Sequence, residues 1–211
     1  MDTNSNQARR VVIGITAHVD AGKTTLAEAM LYRTGRLRKL GRVDHGSAAM
    51  DSHLLERERG ITIFSSQAEL PIGDLEVTLL DTPGHVDFSA EMERTLSVLD
   101  YAILVISGAD GVQAHTRTLW RLLELYRIPP FLFVTKMDFG RCGRGQMMEH
   151  LRHELGEGCV DFTPADRERR MEQLATCRED ALEVYLDGGE VPDALVRQLV
   201  GRRLVFPCWF G

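Results

Sequence analysis

The chain has 211 residues, of which 44% are hydrophobic and 27% are charged, and its formal net charge is −6. This length and composition suit one soluble domain with a sizeable core, and no apolar run approaches the roughly 20 residues of a membrane span. We therefore expect a cytoplasmic protein with no membrane partner, and the negative charge disfavours direct sequence-specific binding of nucleic acid, for which a basic patch is typical.

The first half of the chain alternates between strand and helix patterns. "RVVIGIT" (10–16) is a β-branched apolar run that predicts a strand, and "LAEAMLY" (26–32) predicts a helix. The long polar segment from Gly35 to Gly60 is typical of a functional or mobile loop. "ITIFSSQAEL" and "LEVTLLD" then predict two strands joined by a turn at Pro71 to Asp74.

Two near-continuous apolar runs follow, "YAILVIS" (101–107) and "PFLFVT" (130–135), as expected of strands covered on both faces. Between them, apolar residues at helical spacing predict a helix over Thr116 to Tyr126. The alternation predicts an α/β fold with a mostly parallel sheet and helices on both faces. Ligands of such folds bind beyond the carboxyl ends of the strands.

The last part of the chain changes character after the loop "GRCGRG". Helices are predicted around Met147–Leu155, over Arg167–Leu186 and near Asp193–Leu199, before a strand-like run, "RLVFPCWF". Residues 140–202 are therefore predicted to form a short helical insertion near the C-terminus of the domain.

Isolated cysteines and histidines do not indicate a metal site. The four cysteines show no C-x-x-C spacing, so we expect reduced structural thiols. His150 and His153 lie three residues apart on a predicted helix, but no accompanying motif supports a metal. We expect surface positions for them and for His45, His53 and His115.

The segment between the first strand and the first helix, "AHVDAGKTT", fits the phosphate-loop pattern, with Ala17 in place of the usual first glycine. Small residues let backbone N–H groups curl around phosphate oxygens at the positive end of the helix. Lys23 is expected to reach the β- and γ-phosphates, and the Thr24 hydroxyl to bind Mg²⁺. The alternative, a tight turn with an exposed lysine, is disfavoured by the flanking strand and helix. The predicted contacts are Ala17, His18, Val19, Asp20, Ala21, Gly22, Lys23, Thr24 and Thr25.

A second segment, "LLDTPGHVDF" (79–88), ends a strand in Asp81. In phosphate-loop enzymes an aspartate at this place holds Mg²⁺, normally through water. Gly84 has no side chain, so its N–H can approach the γ-phosphate closely, and His85 follows where a side chain can orient an attacking water. A plain Pro-Gly turn is the alternative, which the phosphate loop in the same chain disfavours. The predicted contacts are Asp81, Thr82, Pro83, Gly84 and His85.

A third segment, "TKMD" (135–138), ends the strand "PFLFVT" in a lysine and a carboxylate. A carboxylate here can accept hydrogen bonds from the N1–H and 2-amino groups of guanine. A buried Asp138 would reject adenine, which lacks these donors, at a cost of about 1–3 kcal/mol. Lys136 is expected to pack its stem across the base, and a solvated strand end is the alternative. The predicted base site is Thr135, Lys136 and Asp138.

The segments "AHVDAGKTT", "RERGITI", "DTPGHVDF" and "TKMD" occur in the order and approximate spacing of elongation factor G, and the chain resembles the translational GTPases over most of residues 10 to 138. The resemblance implies a P-loop GTPase domain that takes GTP and GDP with Mg²⁺. It also implies that Thr62 is the switch I threonine that closes on Mg²⁺ and the γ-phosphate, and that His85 is the catalytic histidine.

The same resemblance assigns further roles. Asp20 is similar to the phosphate-loop aspartate near the transferred phosphate, and Val19 and Ile61 would flank His85 as an apolar gate. Residues 38–60 are expected to be mobile without a triphosphate. The catalytic residues implied are Asp20, Lys23, Thr62, Gly84 and His85, and the Mg²⁺ ligands are Thr24, Thr62 and Asp81.

Two departures from the family pattern are visible. Thr135 replaces the family's asparagine, so we expect weaker nucleotide binding with guanine preference retained through Asp138. The chain ends at "CWFG", within the family's last guanine-contacting loop, so we expect a GTP-binding domain, residues 1–211, truncated from a larger multidomain protein. The short segment after Asp138 resembles the tetracycline ribosomal-protection proteins more than elongation factor G, whose insertion is longer.

The resemblance therefore implies a monomeric, ribosome-stimulated GTPase with very slow intrinsic turnover and the ribosome as its partner. One alternative is elongation factor G itself or an uncharacterised paralogue. Another is a nucleotide-gated ribosome-binding module with negligible turnover. A metabolic phosphate-loop kinase lacks support, because no acceptor site is apparent in the sequence.

Overall fold

The computed structural model describes residues 9–36, 66–82, 89–139, 142–163 and 167–211. These residues contain seven strands, whose pairing is mixed and mostly parallel: β1 (Arg9–Ala17), β2 (Ser66–Ile72), β3 (Leu75–Asp81), β4 (Tyr101–Ser107), β5 (Pro130–Thr135), β6 (Cys159–Asp161) and β7 (Phe206–Phe210). Their helices are α1 (Lys23–Arg33), α2 (Ser89–Leu96), α3 (Ala114–Leu125), α4 (Arg144–Leu155), α5 (Arg167–Cys177), α6 (Glu179–Gly188) and α7 (Asp193–Gly201). The predicted α/β class is confirmed.

The chain divides into two compact units. Unit 1 comprises residues 1–15 and 23–101, and unit 2 comprises residues 16–22 and 102–211. In unit 1 the strand order is β2-β3-β1, with β1 parallel and β2 antiparallel to β3. In unit 2 the order is β4-β5-β7-β6, and every pair is parallel.

The hairpin of unit 1 differs from its prediction. β2 continues through Pro71 and Ile72, so only Gly73 and Asp74 form the turn, and the predicted four-residue turn was wrong. Gly73 has a φ of 61°, which glycine adopts without steric cost. Pro71 is accommodated because β2 pairs with β3 on one side in unit 1, as proline without an N–H requires.

Three short features of the chain escaped the sequence patterns. α2 follows the second motif, and β6 extends the sheet of unit 2 by pairing with β7. The predicted helix over Arg167–Leu186 is two helices, because Arg178 has an extended backbone with φ −143°. The segment 140–202 therefore contributes a strand as well as helices.

A hydrophobic cluster joins α5, α6 and α7 to β6. Its buried members are Val160, Met171, Leu174, Ala181, Val191, Leu199, Val200 and Val205. All four cysteines are free thiols, as predicted, and burial raises the pKa of Cys177 and of Cys208. Among the described residues no helix is both long and apolar enough to cross a membrane.

Two helices of unit 2 end with an arginine where glycine is typical. Arg127 after α3 has a φ of 56°, and Arg203 after α7 has a φ of 57°. The N–H of Ile128 donates to the carbonyl of Leu123 at 2.9 Å, and an equivalent bond closes α7. This is the Schellman pattern, in which a left-handed residue follows the helix and usually lacks a Cβ.

Replacing Arg127 by glycine should raise the free energy of unfolding by about 0.5–1 kcal/mol, because glycine adopts positive φ without the Cβ clash. Arg121→Gly is the matched control, since Arg121 is exposed within α3, and it should lower stability by about 1 kcal/mol. Urea unfolding measures both. A loss of stability in Arg127→Gly would show that the arginine side chain contributes more than its backbone strain costs.

Candidate nucleotide-binding site

Two opposite charges are buried together in unit 1. Asp81 ends β3, beside Ile15 of the parallel strand β1, and Lys23 is the first residue of α1. Lys23 Nζ forms an ion pair with Asp81 Oδ1, and the two side chains are only 9% and 0% exposed. The structure thus brings together the predicted phosphate-binding lysine and the predicted Mg²⁺-binding aspartate.

Thr82, the residue after Asp81, is hydrogen-bonded to β1. Thr82 is fully buried, and both its N–H, at 3.1 Å, and its hydroxyl, at 2.8 Å, donate to the carbonyl of Ile15. Its hydroxyl therefore serves the backbone of β1. Three predicted site residues that follow Thr82 lie outside the described residues: Pro83, Gly84 and His85. The predicted switch I threonine, Thr62, and the predicted gate residue Ile61 also lie outside them.

The part of the phosphate loop in unit 2 is tightly curled. The N–H of Ala21 donates to the carbonyl of His18 at 3.1 Å, and the backbone is left-handed at Asp20, with φ 60°, and at Gly22, with φ 88°. Aspartate tolerates this conformation better than most residues, and glycine adopts it freely. Ala17 and Ala21 are buried, whereas Asp20 is exposed.

Side chains of the "TKMD" segment hold this curl from unit 2. The Thr135 hydroxyl donates to the carbonyl of Ala21 at 2.6 Å, and Lys136 Nζ donates to the carbonyl of Asp20 at 2.6 Å. Lys136 itself has a left-handed φ of 54°. Both residues were predicted to serve the base; the hydrogen bonds that the structure shows run from their side chains to the backbone of the predicted phosphate loop.

Asp138 corrects one expectation. Its carboxylate is predicted to be buried, but it is exposed in the structure. It forms no hydrogen bond or ion pair with the described part of the chain, so both oxygens are available to a ligand. The energetic argument against adenine therefore applies only once a base covers this carboxylate.

Gly108 supports the same segment, and the sequence analysis missed it. It directly follows β4, and its N–H donates to the carbonyl of Thr135 at 2.7 Å. An added Cβ would lie 2.6 Å from Met137 Sδ and 2.9 Å from the Thr135 carbonyl oxygen. The one available signal was a glycine directly after a buried strand, next to the strand that ends in "TKMD".

Two histidines predicted to be on the surface are half-buried instead. His150 Nε2 accepts a hydrogen bond from the N–H of Val112 at 3.1 Å, so it fixes the loop after β4. His115 packs against His18 of the phosphate loop, with ring centroids 5.9 Å apart. Within the residues that the structure describes, no group of three or more His, Cys, Asp or Glu side chains is arranged to hold a metal ion.

A phosphate loop between a first strand and a first helix, with a buried lysine–aspartate pair at the start of that helix, defines an α/β nucleotide-binding domain of the phosphate-loop class. The model of the elongation factor Tu GTP binding domain matches residues 8–192. The chain belongs to this family of GTP-binding domains.

Relatives support the same assignment. The Streptomyces rimosus oxytetracycline resistance protein is 40% identical, with 94% of this chain and 34% of that protein aligned. The Campylobacter jejuni tetracycline resistance protein TetO is 36% identical over the same shares, and Clostridium perfringens TetP is 47% identical over 70% of this chain and 23% of that protein. A crystal structure from Thermus thermophilus superposes with a TM-score of 0.83 at 29% identity, covering 97% of this chain and 37% of that one. The chain spans about a third of the length of the first two relatives, 34% in each case.

Thr135→Val should weaken GDP binding about three- to tenfold, because the valine keeps the shape but leaves the Ala21 carbonyl without its hydroxyl donor. Calorimetric titration with Mg²⁺ measures this. The control is Thr118→Val, which removes a hydroxyl that donates to Ala114 O at 3.3 Å on α3. Thr135→Asn should bind at least as tightly as the wild type. Unchanged GDP affinity in Thr135→Val would show that the hydroxyl does not position the loop.

Proposed function

We propose that this chain binds GTP with Mg²⁺ and hydrolyses it as the GTPase domain of a cytoplasmic, monomeric, ribosome-associated protein that protects the ribosome from tetracycline. The family match supports GTP binding, and the names of the relatives support the tetracycline branch over elongation factor G. In this proposal residues 1–211 are the GTP-binding domain and residues 140–202 its insertion. The observation that carries the phosphate chemistry is the buried Lys23–Asp81 ion pair.

In this proposal, Lys23 and Asp81 exchange one another for a phosphate and a cation when nucleotide binds. Without a ligand, Lys23 and Asp81 neutralise one another in a buried position. A triphosphate gives Lys23 new negative partners, and Asp81 is then available to a cation. Thr24 and Asp81 supply hydroxyl and carboxylate oxygens, the ligand types that Mg²⁺ prefers, and bound Mg²⁺ would neutralise charge on the phosphates.

Base selection and hydrolysis fall to other residues. The exposed Asp138 carboxylate accepts from the N1–H and 2-amino groups of guanine, while Thr135 and Lys136 keep the phosphate loop curled. For the chemical step we propose that His85 orients the attacking water. The family resemblance further implies catalytic roles for Asp20, Thr62 and Gly84, and in this proposal the ribosome stimulates the reaction.

GDP should bind about 10- to 100-fold more tightly than ADP in the presence of Mg²⁺, because adenine leaves the Asp138 carboxylate without its two donors. Asp138→Asn sharpens the test. The amide should weaken GDP binding by at least 30-fold and improve binding of xanthosine diphosphate, whose 2-oxo group accepts from the amide N–H. Calorimetry measures each affinity. Equal affinities for GDP and ADP in the wild type would refute the guanine assignment.

His85→Ala should lower ribosome-stimulated GTP hydrolysis at least 100-fold while leaving GDP affinity unchanged, because it removes the group that orients the water. Phosphate release with purified ribosomes measures the rate. His153→Ala is the control, since that histidine is 84% exposed on α4. A His85→Ala rate equal to the wild type would assign the water to another residue. No hydrolysis by the wild type would favour the alternative of a nucleotide-gated ribosome-binding module. That alternative is motivated by Thr135, which replaces the family's asparagine.

A further inference from the structure

Three arginines of unit 2 meet at a cavity of about 460 Å³. The cavity lies at the amino ends of β5 and β7, away from the carboxyl end of β5 where Thr135 stands. Neither the phosphate loop nor the base segment contributes to it. Its chemistry is set by Trp120, Glu124, Arg127, Arg202, Arg203 and Phe206.

Arg203 forms part of the wall of this cavity. Its guanidinium lies 5.4 Å from the ring centroid of Trp120 and 5.7 Å from that of Phe206, and it donates to the carbonyl of Ile128. Trp120 and Phe206 are themselves packed edge to face, with centroids 4.7 Å apart. Burial lowers the pKa of Arg203, and the charge of Glu124 partly offsets this. Arg203 forms no ion pair with the described residues, so a bound anion would stabilise its half-buried charge.

Arg127 and Arg202 supply the cations that are free to bind. Both side chains are exposed, and neither forms an ion pair or a side-chain hydrogen bond with the described residues. Arginines at helix C-termini also complement the helix dipole. Here, however, the terminal carbonyls of α3 and α7 already accept backbone N–H bonds. The cavity is thus lined by three arginines and one acidic residue, Glu124.

The backbone conformation of two of these arginines is also unusual. Arg127 and Arg203 both occupy left-handed positions that favour glycine. Strained backbone positions cluster at binding and active sites, so these two arginines are candidates for a binding role.

We propose that this cavity binds the phosphate group of a nucleotide-sized ligand, with Arg127 and Arg202 as the donors and the Trp120–Phe206 wall against its organic part. Guanidinium groups match phosphate oxygens in pairs, and the volume lies within the range of small-molecule sites. A free mononucleotide and one nucleotide of an RNA backbone present the same phosphate chemistry. The proposal does not depend on GTP hydrolysis.

The experiment titrates the protein, saturated with GDP and Mg²⁺, with adenosine 5′-monophosphate in one arm and hexauridylate RNA in the other. Saturation with GDP keeps the probes out of the guanine site. Trp120 lines the cavity, so tryptophan fluorescence reports binding there, and calorimetry gives the affinity. Arg127→Gly and Arg202→Gln remove the donors, and glycine suits the backbone at residue 127. Arg197→Gln, an exposed arginine of α7, is the matched control.

At least one probe should bind, and each cavity variant should weaken it about tenfold or more, as loss of a charge-assisted bond predicts. Arg197→Gln should stay within twofold. Binding of the monophosphate alone assigns a free nucleotide, and binding of the RNA assigns a backbone phosphate. Binding of neither probe, or equal affinities in wild type and cavity variants, overturns the proposal. The GDP affinity of each variant is measured in parallel. Unchanged GDP affinity shows that a loss of probe binding arises at the cavity and not from failure of the proposed GTP-binding site.

Discussion

The burial of Lys23 with Asp81 is the constraint around which the rest of unit 1 is arranged. Lys23 begins α1, where the helix dipole is positive, and the first turn of α1 contains no acidic residue. A buried ammonium there is costly unless a carboxylate faces it. Asp81 can do so because β1 and β3 are parallel and in a register that sets Ile15 beside Asp81. The fold thus holds a buried, mutually neutralised lysine–aspartate pair at the positive end of α1.

The corresponding constraint in unit 2 is the geometry of the loop backbone. Left-handed residues at Asp20 and Gly22 turn the loop, but a turn alone has little rigidity. The hydrogen bonds from Thr135 and Lys136 to loop carbonyls supply it. The segment predicted to recognise the base is therefore joined by hydrogen bonds to the predicted phosphate loop. Thr135 makes its bond to the loop through its one hydroxyl.

Strands made of one continuous apolar run were predictable from the sequence. The strands "YAILVIS" and "PFLFVT" have the predicted bounds, because continuous apolar runs of that length have few other solutions. β6 was not predictable, since three residues carry no periodicity and depend on pairing with β7. The exposure of Asp138 and the contact of His150 with Val112 were also invisible, because both depend on tertiary neighbours. Gly108 is an intermediate case. A glycine directly after a strand is visible in the sequence, but its close contact with Thr135 and Met137 is visible only in the structure.

The cavity at the amino ends of β5 and β7 shows why such sites escape sequence reasoning. Its arginines belong to two turns that are distant in the chain but alike in backbone, since each follows a helix and precedes a strand of the same sheet. Because β5 and β7 pair in parallel, these two turns lie side by side. Neither turn alone departs from ordinary surface composition. A repeated, locally unfavourable arginine becomes informative only when the sheet brings the two copies together.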